Sequence, residues 1–371
     1  VTDIENGRRK SPEPKSARRR RSSTSVGERP STIRDVAAQA GVSVATVSRA
    51  LAGNYPVSKE TRARVMAAVE SLRYVVNVHA KALSGRVAGP VALVIRDITG
   101  PSLAHVAAGV EQEAADRGRL SLVCATHDDA AREDDLVQLM REQHAAAVVL
   151  VGGAVENEAY RRRMAEYATA LDAVGSRLVL VGRPPLPGDL PVTVVQYDNR
   201  GGAFQATDHL LTAGHRRVLF LGGAPGLSTG EERRDGFRQA LRSHGLAPVA
   251  ELELPGPYTR VSGYQRTREA LAAGLEFTAV FAGTDMVATG ALAALREAGL
   301  DVPGDVSLVG FDDVPFAADL TPALTTVRVP YEDLGRTAVR LALEREERVG
   351  GDDHVVLSTQ LVIRQSVRAL Q

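Results

Sequence analysis

The stretch Thr32–Leu51, TIRDVAAQAGVSVATVSRAL, constrains the chain most. Ile33, Val36, Ala37 and Ala40 recur at helical spacing and define one apolar face. Gly41 admits the left-handed backbone that ends a helix. Ser43 is a natural N-cap, its hydroxyl facing the free N–H groups of the next turn. Val44, Val47, Ala50 and Leu51 begin and carry a second helix. Two short helices around a tight turn make a helix-turn-helix, whose second helix lies in a DNA major groove. After the linker AGNYPVS, Ser58 is placed to cap a third helix. Glu60 suits its positive start, and Val65, Ala68, Val69 and Leu72 form its buried stripe.

Charge enters through its distribution, because Lys+Arg and Asp+Glu both number 45. The first third is arginine-rich and the rest mildly acidic, as expected of a DNA-binding head on a neutral body. Residues 1–30, with Pro12, Pro14 and the run Arg18–Arg21, read as a disordered basic tail, able to add sequence-independent phosphate attraction. The lone Cys124 excludes an internal disulfide and a cysteine metal cluster, which fits a reducing compartment. No apolar run is long enough for a bilayer span, and no apolar segment follows the basic N-terminus. The expectation is a soluble, cytoplasmic, nucleoid-associated protein with no membrane partner.

From Pro90 the pattern changes to strand–helix alternation. Strands are expected at 91–95, 120–125, 146–152, 177–182 and 192–198. A second set is expected at 217–223, 250–254, 279–283 and 306–312, then 325–330 and 355–364. Alternation of this kind implies parallel sheets covered on both faces. The fold class is therefore α/β with an all-α helix-turn-helix head. The head spans 31–74, a hinge helix or linker 75–89, and a two-lobed core 90–371. Lobe 1 is expected at about 90–197 and 313–330, and lobe 2 at about 198–312 and 331–371. Ligands of such sheets sit at the carboxyl ends of the strands.

The chain resembles the lactose-repressor (LacI/GalR) family of bacterial transcription regulators over about residues 31 to 366. The motifs are DVAAQAGVSVATVSRAL, VSKETRARV, AKAL, GHRRVLFLGG, ERRDGFRQAL, TDMVATGALAALREAGLDVPGDVSLVGFDD and LTPALTTVRVP, in the family's order. The resemblance implies a homodimer on a palindromic double-stranded operator, with a periplasmic-binding-protein-like core that takes a small effector, a sugar or related polyhydroxy metabolite. It implies no cofactor, metal or catalytic residue.

Within the head, Thr46, Ser48 and Arg49 carry hydroxyls and a guanidinium suited to phosphates or base edges. Val44 and Ala45 fall where the family reaches into the groove and offer only apolar contact, for instance with a thymine methyl. Thr32, Arg34, Ser43, Asn54 and Tyr74 complete the expected DNA-binding set. In the hinge, Asn77, Ala80, Lys81 and Leu83 match the family, and Leu83 is the implied minor-groove wedge. Val76 replaces the family's usual proline, and Ala52 a common asparagine.

For the effector, Asp312 ends a strand where a carboxylate accepts two hydroxyl hydrogen bonds. Arg233 presents a fork of donors after another strand. Together they look like the family's paired clamp. Thr229 and Tyr258 match further ligand positions, Tyr258 as an aromatic platform, and Tyr197 falls at the first crossover. Thr284 stands where the family has asparagine, and Asp285 is expected to cap its own helix. DITGPSL (97–103) leaves the first-lobe wall less aromatic, at Gly100, Ser102 and Leu103. The alternatives are a regulator answering to a protein partner or a phosphorylated metabolite, and a sugar-metabolising enzyme on a doubly wound scaffold. Against an enzyme, GGAPG (222–226) lacks the spacing and lysine of a phosphate loop. His209 and His215 have no partnered nucleophile and read as structural.

Overall fold

The head folds around a few small apolar side chains spaced to meet. The computed structural model describes residues 31–52, 57–74, 89–344 and 354–370. Its first helices are α1 (Ile33–Ala40), α2 (Val44–Ala52) and α3 (Lys59–Ser71). Gly41, at φ 64°, ends α1. Ser43 Oγ accepts from the Thr46 N–H at 3.1 Å, and Ser58 Oγ from the Thr61 N–H at 3.2 Å, so each hydroxyl satisfies an orphan donor. Val36, Ala37, Ala40, Val47, Ala50, Val65 and Ala68 are buried together. The expected tail, Asn54, Val76, Asn77, Ala80, Lys81 and Leu83 lie outside the described residues. Head and core are separate units.

In the core, β1 (Val91–Ile95), β3 (Ala147–Val151) and β4 (Arg177–Val181) are buried at every position. Such runs need cover on both faces, which parallel strands obtain from their crossover helices. With β2 (Ser121–Ala125), β5 (Val192–Tyr197) and β11 (His354–Leu357) they make a six-stranded parallel sheet, ordered β11-β5-β4-β3-β1-β2. Its first crossover helices are α4 (Pro101–Asp116), α5 (Ala130–Glu142) and α6 (Glu158–Asp172). The second lobe has β6 (Val218–Leu221), β7 (Glu253–Leu254), β8 (Ala279–Ala282) and β9 (Ser307–Val309), parallel in the order β7-β6-β8-β9. Its helices are α7 (Asn199–Thr212), α8 (Ser228–Ser243), α9 (Arg260–Ala272), α10 (Asp285–Glu297) and the short α11 (Phe316–Asp319). Strand order reverses at β1 and at β6, so each sheet has a crevice at its carboxyl edge. Among the described residues no helix is long and apolar enough to cross a membrane.

The C-terminal segments depart from expectation. The stretch 355–364 is two strands in two sheets: β11 beside β5, and β12 (Gln360–Val362) antiparallel to β10 (Thr326–Arg328). Helix α12 (Tyr331–Leu343) packs on α4, β4 and β5, and so belongs with β11 to lobe 1, not lobe 2. Segment 313–330 belongs to lobe 2, where Ala317 and Leu324 join its core and β10 meets α7. Close approach of backbones decides this. A Cβ on Gly109 would lie 2.0 Å from the Glu332 carbonyl, and one on Gly335 2.3 Å from the Val106 carbonyl. The two glycines let α4 and α12 touch where any side chain would hold them apart. Residues 250–252 form a 3-10 turn, leaving a two-residue β7.

Candidate functional site: an interlobe cleft and a helix-turn-helix surface

Strand ends from both lobes converge on one cleft of about 710 Å³. Arg233 (on α8, after β6), Tyr258 (after β7), Thr284 (after β8) and Asp312 (after β9) line it from lobe 2, with Thr229. Gly100, Ser102, Leu103, Tyr197 and Tyr331 line it from lobe 1.

Arg233 is 2% exposed and hydrogen-bonded through each of its three nitrogens. Its Nε donates to Asn199 Oδ1 at 2.8 Å, Nη1 donates to the Gly283 carbonyl, and Nη2 donates to the Tyr197 hydroxyl at 3.1 Å. Nη2 also stands 3.6 Å from Asp312 Oδ1. The guanidinium carbon sits 3.8 Å from the Phe311 ring centroid, a cation–π floor. Asp312 Oδ1 accepts from the Tyr331 hydroxyl at 2.7 Å, and Ser102 Oγ is 3.4 Å from Oδ2. Asp312 holds φ 116° and Asp313 φ 54°, both in the left-handed half of the map that L side chains rarely adopt. The turn is held because Asp312 N–H donates to the Val327 carbonyl at 2.8 Å and Asp313 pairs with Arg328 and Arg364.

Burial pushes the Asp312 carboxyl up, while Arg233 and the Tyr331 hydroxyl pull it down. Asp285, deeper and beside it, is raised further, by burial and then by Asp312's charge. Its oxygens accept from Val314 N–H at 3.0 Å and Thr326 Oγ1 at 2.6 Å, which ties the Asp312 turn to α10. Asp285 therefore does not cap its own helix. Thr284 does, its hydroxyl accepting from Val287 N–H at 3.2 Å.

Tyr258 fits because three glycines leave it room. A Cβ on Gly283 would lie 2.7 Å from its ring, and one on Gly223 2.9 Å from its hydroxyl, with Gly230 next to Gly223. Burial pushes the Tyr258 phenol up to about 12, against the pull of Arg233. Across the rim, Val155 and Leu227 form a β-bridge between lobes, and Ser228 N–H donates to the Ala154 carbonyl at 2.9 Å. A Cβ on Gly153 would lie 2.7 Å from Thr229 Oγ1, so that contact needs glycine.

On the head, Arg34, Ser43, Val44, Ala45, Ser48 and Arg49 are exposed on α1 and α2 and the turn between them. Val44 is 41% exposed, an apolar side chain left uncovered at the start of α2. The remaining residues have local tasks. Thr46 Oγ1 is 2.9 Å from Ser43 Oγ. Thr32 donates through Oγ1 and its N–H to Asp35 Oδ2, at 2.7 Å each. Tyr74 packs against the head's own core.

Comparison with known proteins decides the family. Residues 32–77 match the model for bacterial regulatory proteins of the lacI family, and 207–367 that for a periplasmic binding protein-like domain. The HTH-type transcriptional regulator GalR of Escherichia coli is 35% identical over 337 residues, covering 91% of this chain and 95% of that protein. The chain belongs to the LacI family. The HTH-type transcriptional regulator CelR of Thermobifida fusca is 34% identical over 344 residues, covering 90% of this chain and 98% of CelR. Among solved structures, the lac repressor dimer bound to operator and the anti-inducer ONPF superposes with TM-score 0.79 at 25% identity, covering 92% of this chain and all of that one. A CelR–cellobiose complex gives TM-score 0.66 at 33% identity, covering 91% of this chain and all of that one. In keeping with the family, the fold is a helix-turn-helix head and a two-lobed core of parallel sheets.

Arg233, Asp312, Tyr258, Thr229, Thr284 and Tyr197 thus meet around one LacI-family cleft. Sequence reasoning missed Phe311, Asn199 and Tyr331. Phe311 adjoins Asp312 and Asn199 begins the helix after Tyr197, so nearness to named residues was their only signal. Tyr331 follows Pro330 at a lobe crossing and carried none.

Proposed function

We propose that the chain is a cytoplasmic, non-enzymatic repressor that binds a pseudo-palindromic operator as a homodimer and answers to a polyhydroxy effector in its cleft. The observation that carries the effector reading is the buried Arg233–Asp312 pair. A guanidinium fork and a carboxylate side by side, framed by Tyr197 and Tyr258, offer donors and acceptors for neighbouring hydroxyls and flat faces for a sugar ring. GalR and CelR are named as regulators, and CelR has been solved with cellobiose, which supports a sugar over other polyols.

On the head, Val44 and Ala45 offer methyl contact in the groove, and Arg49 and Arg34 supply charge-assisted contacts. An effector shifts DNA affinity only by binding one lobe arrangement better than another. The interlobe bonds of Tyr331 and Ser228 are the contacts such a ligand biases.

The test is DNase footprinting of the full chain on DNA upstream of its own and adjacent genes, with and without sugars. Two protected half-sites about one helical turn apart, lost or strengthened by a sugar, support the reading. No footprint under any condition overturns it. Arg49→Ala should weaken the footprint by about 1–3 kcal/mol.

A further inference from the structure

Arg233 lines the cleft, yet one edge of its guanidinium is held from behind. Its Nε donates to Asn199 Oδ1 at 2.8 Å, and Asn199 Nδ2 donates to Glu232 Oε2 at 2.8 Å. Asn199 is 3% exposed, Glu232 is half-buried, and neither lines the cleft. A ligand that engages Arg233 therefore meets one end of a three-residue chain and does not reach the other.

The fold holds that chain in place. Asn199 is the first residue of α7, just after β5 brings Tyr197 to the cleft, and Glu232 and Arg233 are consecutive on α8. The two helices meet backbone to backbone: a Cβ on Gly236 would lie 2.2 Å from the Arg200 carbonyl. Consecutive helix residues point about 100° apart, so Glu232 faces α7 while Arg233 faces the cleft.

Only one orientation of the Asn199 amide serves both neighbours. A guanidinium N–H only donates and a carboxylate only accepts, so the amide oxygen faces Arg233 and the amide nitrogen faces Glu232. Without Glu232, Nδ2 keeps only a 3.4 Å contact to the Tyr197 carbonyl, and the oxygen is free to turn from Arg233. Nη1 and Nη2 would still hold the Gly283 carbonyl and the Tyr197 hydroxyl, but the guanidinium plane could tilt about them. Nη2 stands 3.6 Å from Asp312 Oδ1, so a tilt changes the spacing of the clamp. Burial raises the Glu232 carboxyl pKa, and the Asn199 amide opposes this more than the charges of Arg233 and Arg200 do.

We propose that Glu232 is a positioning residue for the effector clamp: through Asn199 it fixes the plane in which Arg233 presents its donors to the ligand. The proposal rests on the sugar reading of the cleft and deepens it. Calorimetric titration of the full chain with glucose, galactose and cellobiose tests it, alongside melting curves. Glu232→Met keeps the length of the side chain and removes the acceptor. It should weaken the tightest-binding sugar about tenfold. Glu232→Gln keeps an oxygen that accepts from Asn199, and should stay within about twofold of the unaltered chain. In an Asn199→Ala background, Glu232→Met should cost no further affinity, because its route to Arg233 is already cut. Equal losses for Glu232→Met and Glu232→Gln would assign the effect to charge and overturn the proposal. So would an undiminished effect of Glu232→Met in the Asn199→Ala background, or no loss of affinity at all. Hydrogen exchange of the Arg233 Nε–H, followed by NMR without ligand, gives a readout independent of any sugar. It should be slow in the unaltered chain and in Glu232→Gln, and fast in Glu232→Met. Equal exchange in all three overturns the positioning role. Heat from none of the sugars overturns the sugar reading, and the Nε–H exchange then decides the positioning by itself.

Discussion

The Tyr331 hydroxyl donates a 2.7 Å hydrogen bond to Asp312 Oδ1, joining a helix of lobe 1 to a carboxylate of lobe 2. The same oxygen lies 3.6 Å from Arg233 Nη2. A ligand that engages Asp312 therefore meets a group already shared between the lobes. Tyr331→Phe removes one interlobe bond, worth about 0.5–1.5 kcal/mol. The expected result is up to about tenfold weaker sugar binding in titration, with DNA affinity in the absence of sugar changed in the direction opposite to the sugar's own effect. Unchanged sugar affinity would show that the bond does not report lobe position.

Arg233 is as much a structural strut as a ligand contact. It holds Asn199, the Gly283 carbonyl and Tyr197, and faces Asp312. Arg233→Ala leaves a buried carboxylate without its cation, so the core should lose about 3–5 kcal/mol in denaturant unfolding, together with all sugar response. A fully stable variant without sugar response would limit Arg233 to ligand contact.

Gly223 makes the space that Tyr258 fills. A Cβ there would meet the Gly230 Cα at 2.9 Å and the Tyr258 hydroxyl at 2.9 Å. Backbone cannot yield as a side chain tip can, so Gly223→Ala should cost about 1–3 kcal/mol and displace the ring. Sugar affinity should fall with it, whereas Gly118→Ala, at φ 65° with open space around it, should cost stability alone through its left-handed backbone.

His215 is buried, with Nδ1 2.9 Å from Thr278 Oγ1 and Nε2 3.1 Å from the Arg368 carbonyl. The carbonyl only accepts, so Nε2 carries the proton and Nδ1 accepts from the threonine. Burial lowers its pKa below the 6.5 of an unfolded chain. Between those values the unfolded chain binds a proton that the folded chain refuses, so stability falls as pH drops below 6.5 toward the folded value. His215→Gln should flatten part of the loss of melting temperature between pH 6.5 and 5. Only part is expected, because burial lowers His209 in the same direction.

The helix-turn-helix was legible because a local code writes it: apolar spacing, Gly41 and two capping serines act within a few residues. The core strands were legible for a related reason, since β1 and β3 are apolar at every position and β4 at every position after Arg177. Arg233, Asp312 and Tyr258 stood out by resemblance, and the strand-end rule puts such residues in one crevice.

Periodicity reports that a face is buried, not what covers it. The segments Tyr331–Leu343 and His354–Leu357 would look the same in either lobe. Their place in lobe 1 was decided by the non-local meeting of Gly109 with Glu332 and of Gly335 with Val106. Likewise Asp285, which reads as a helix cap, becomes a tie to Val314 and Thr326 once the Asp312 turn folds over it. The sequence by itself determined a DNA-reading head and a two-lobed α/β core with one cleft. Only the tertiary structure decided which segments build each lobe and what each buried carboxylate ties together, because both depend on contacts between residues far apart in the chain.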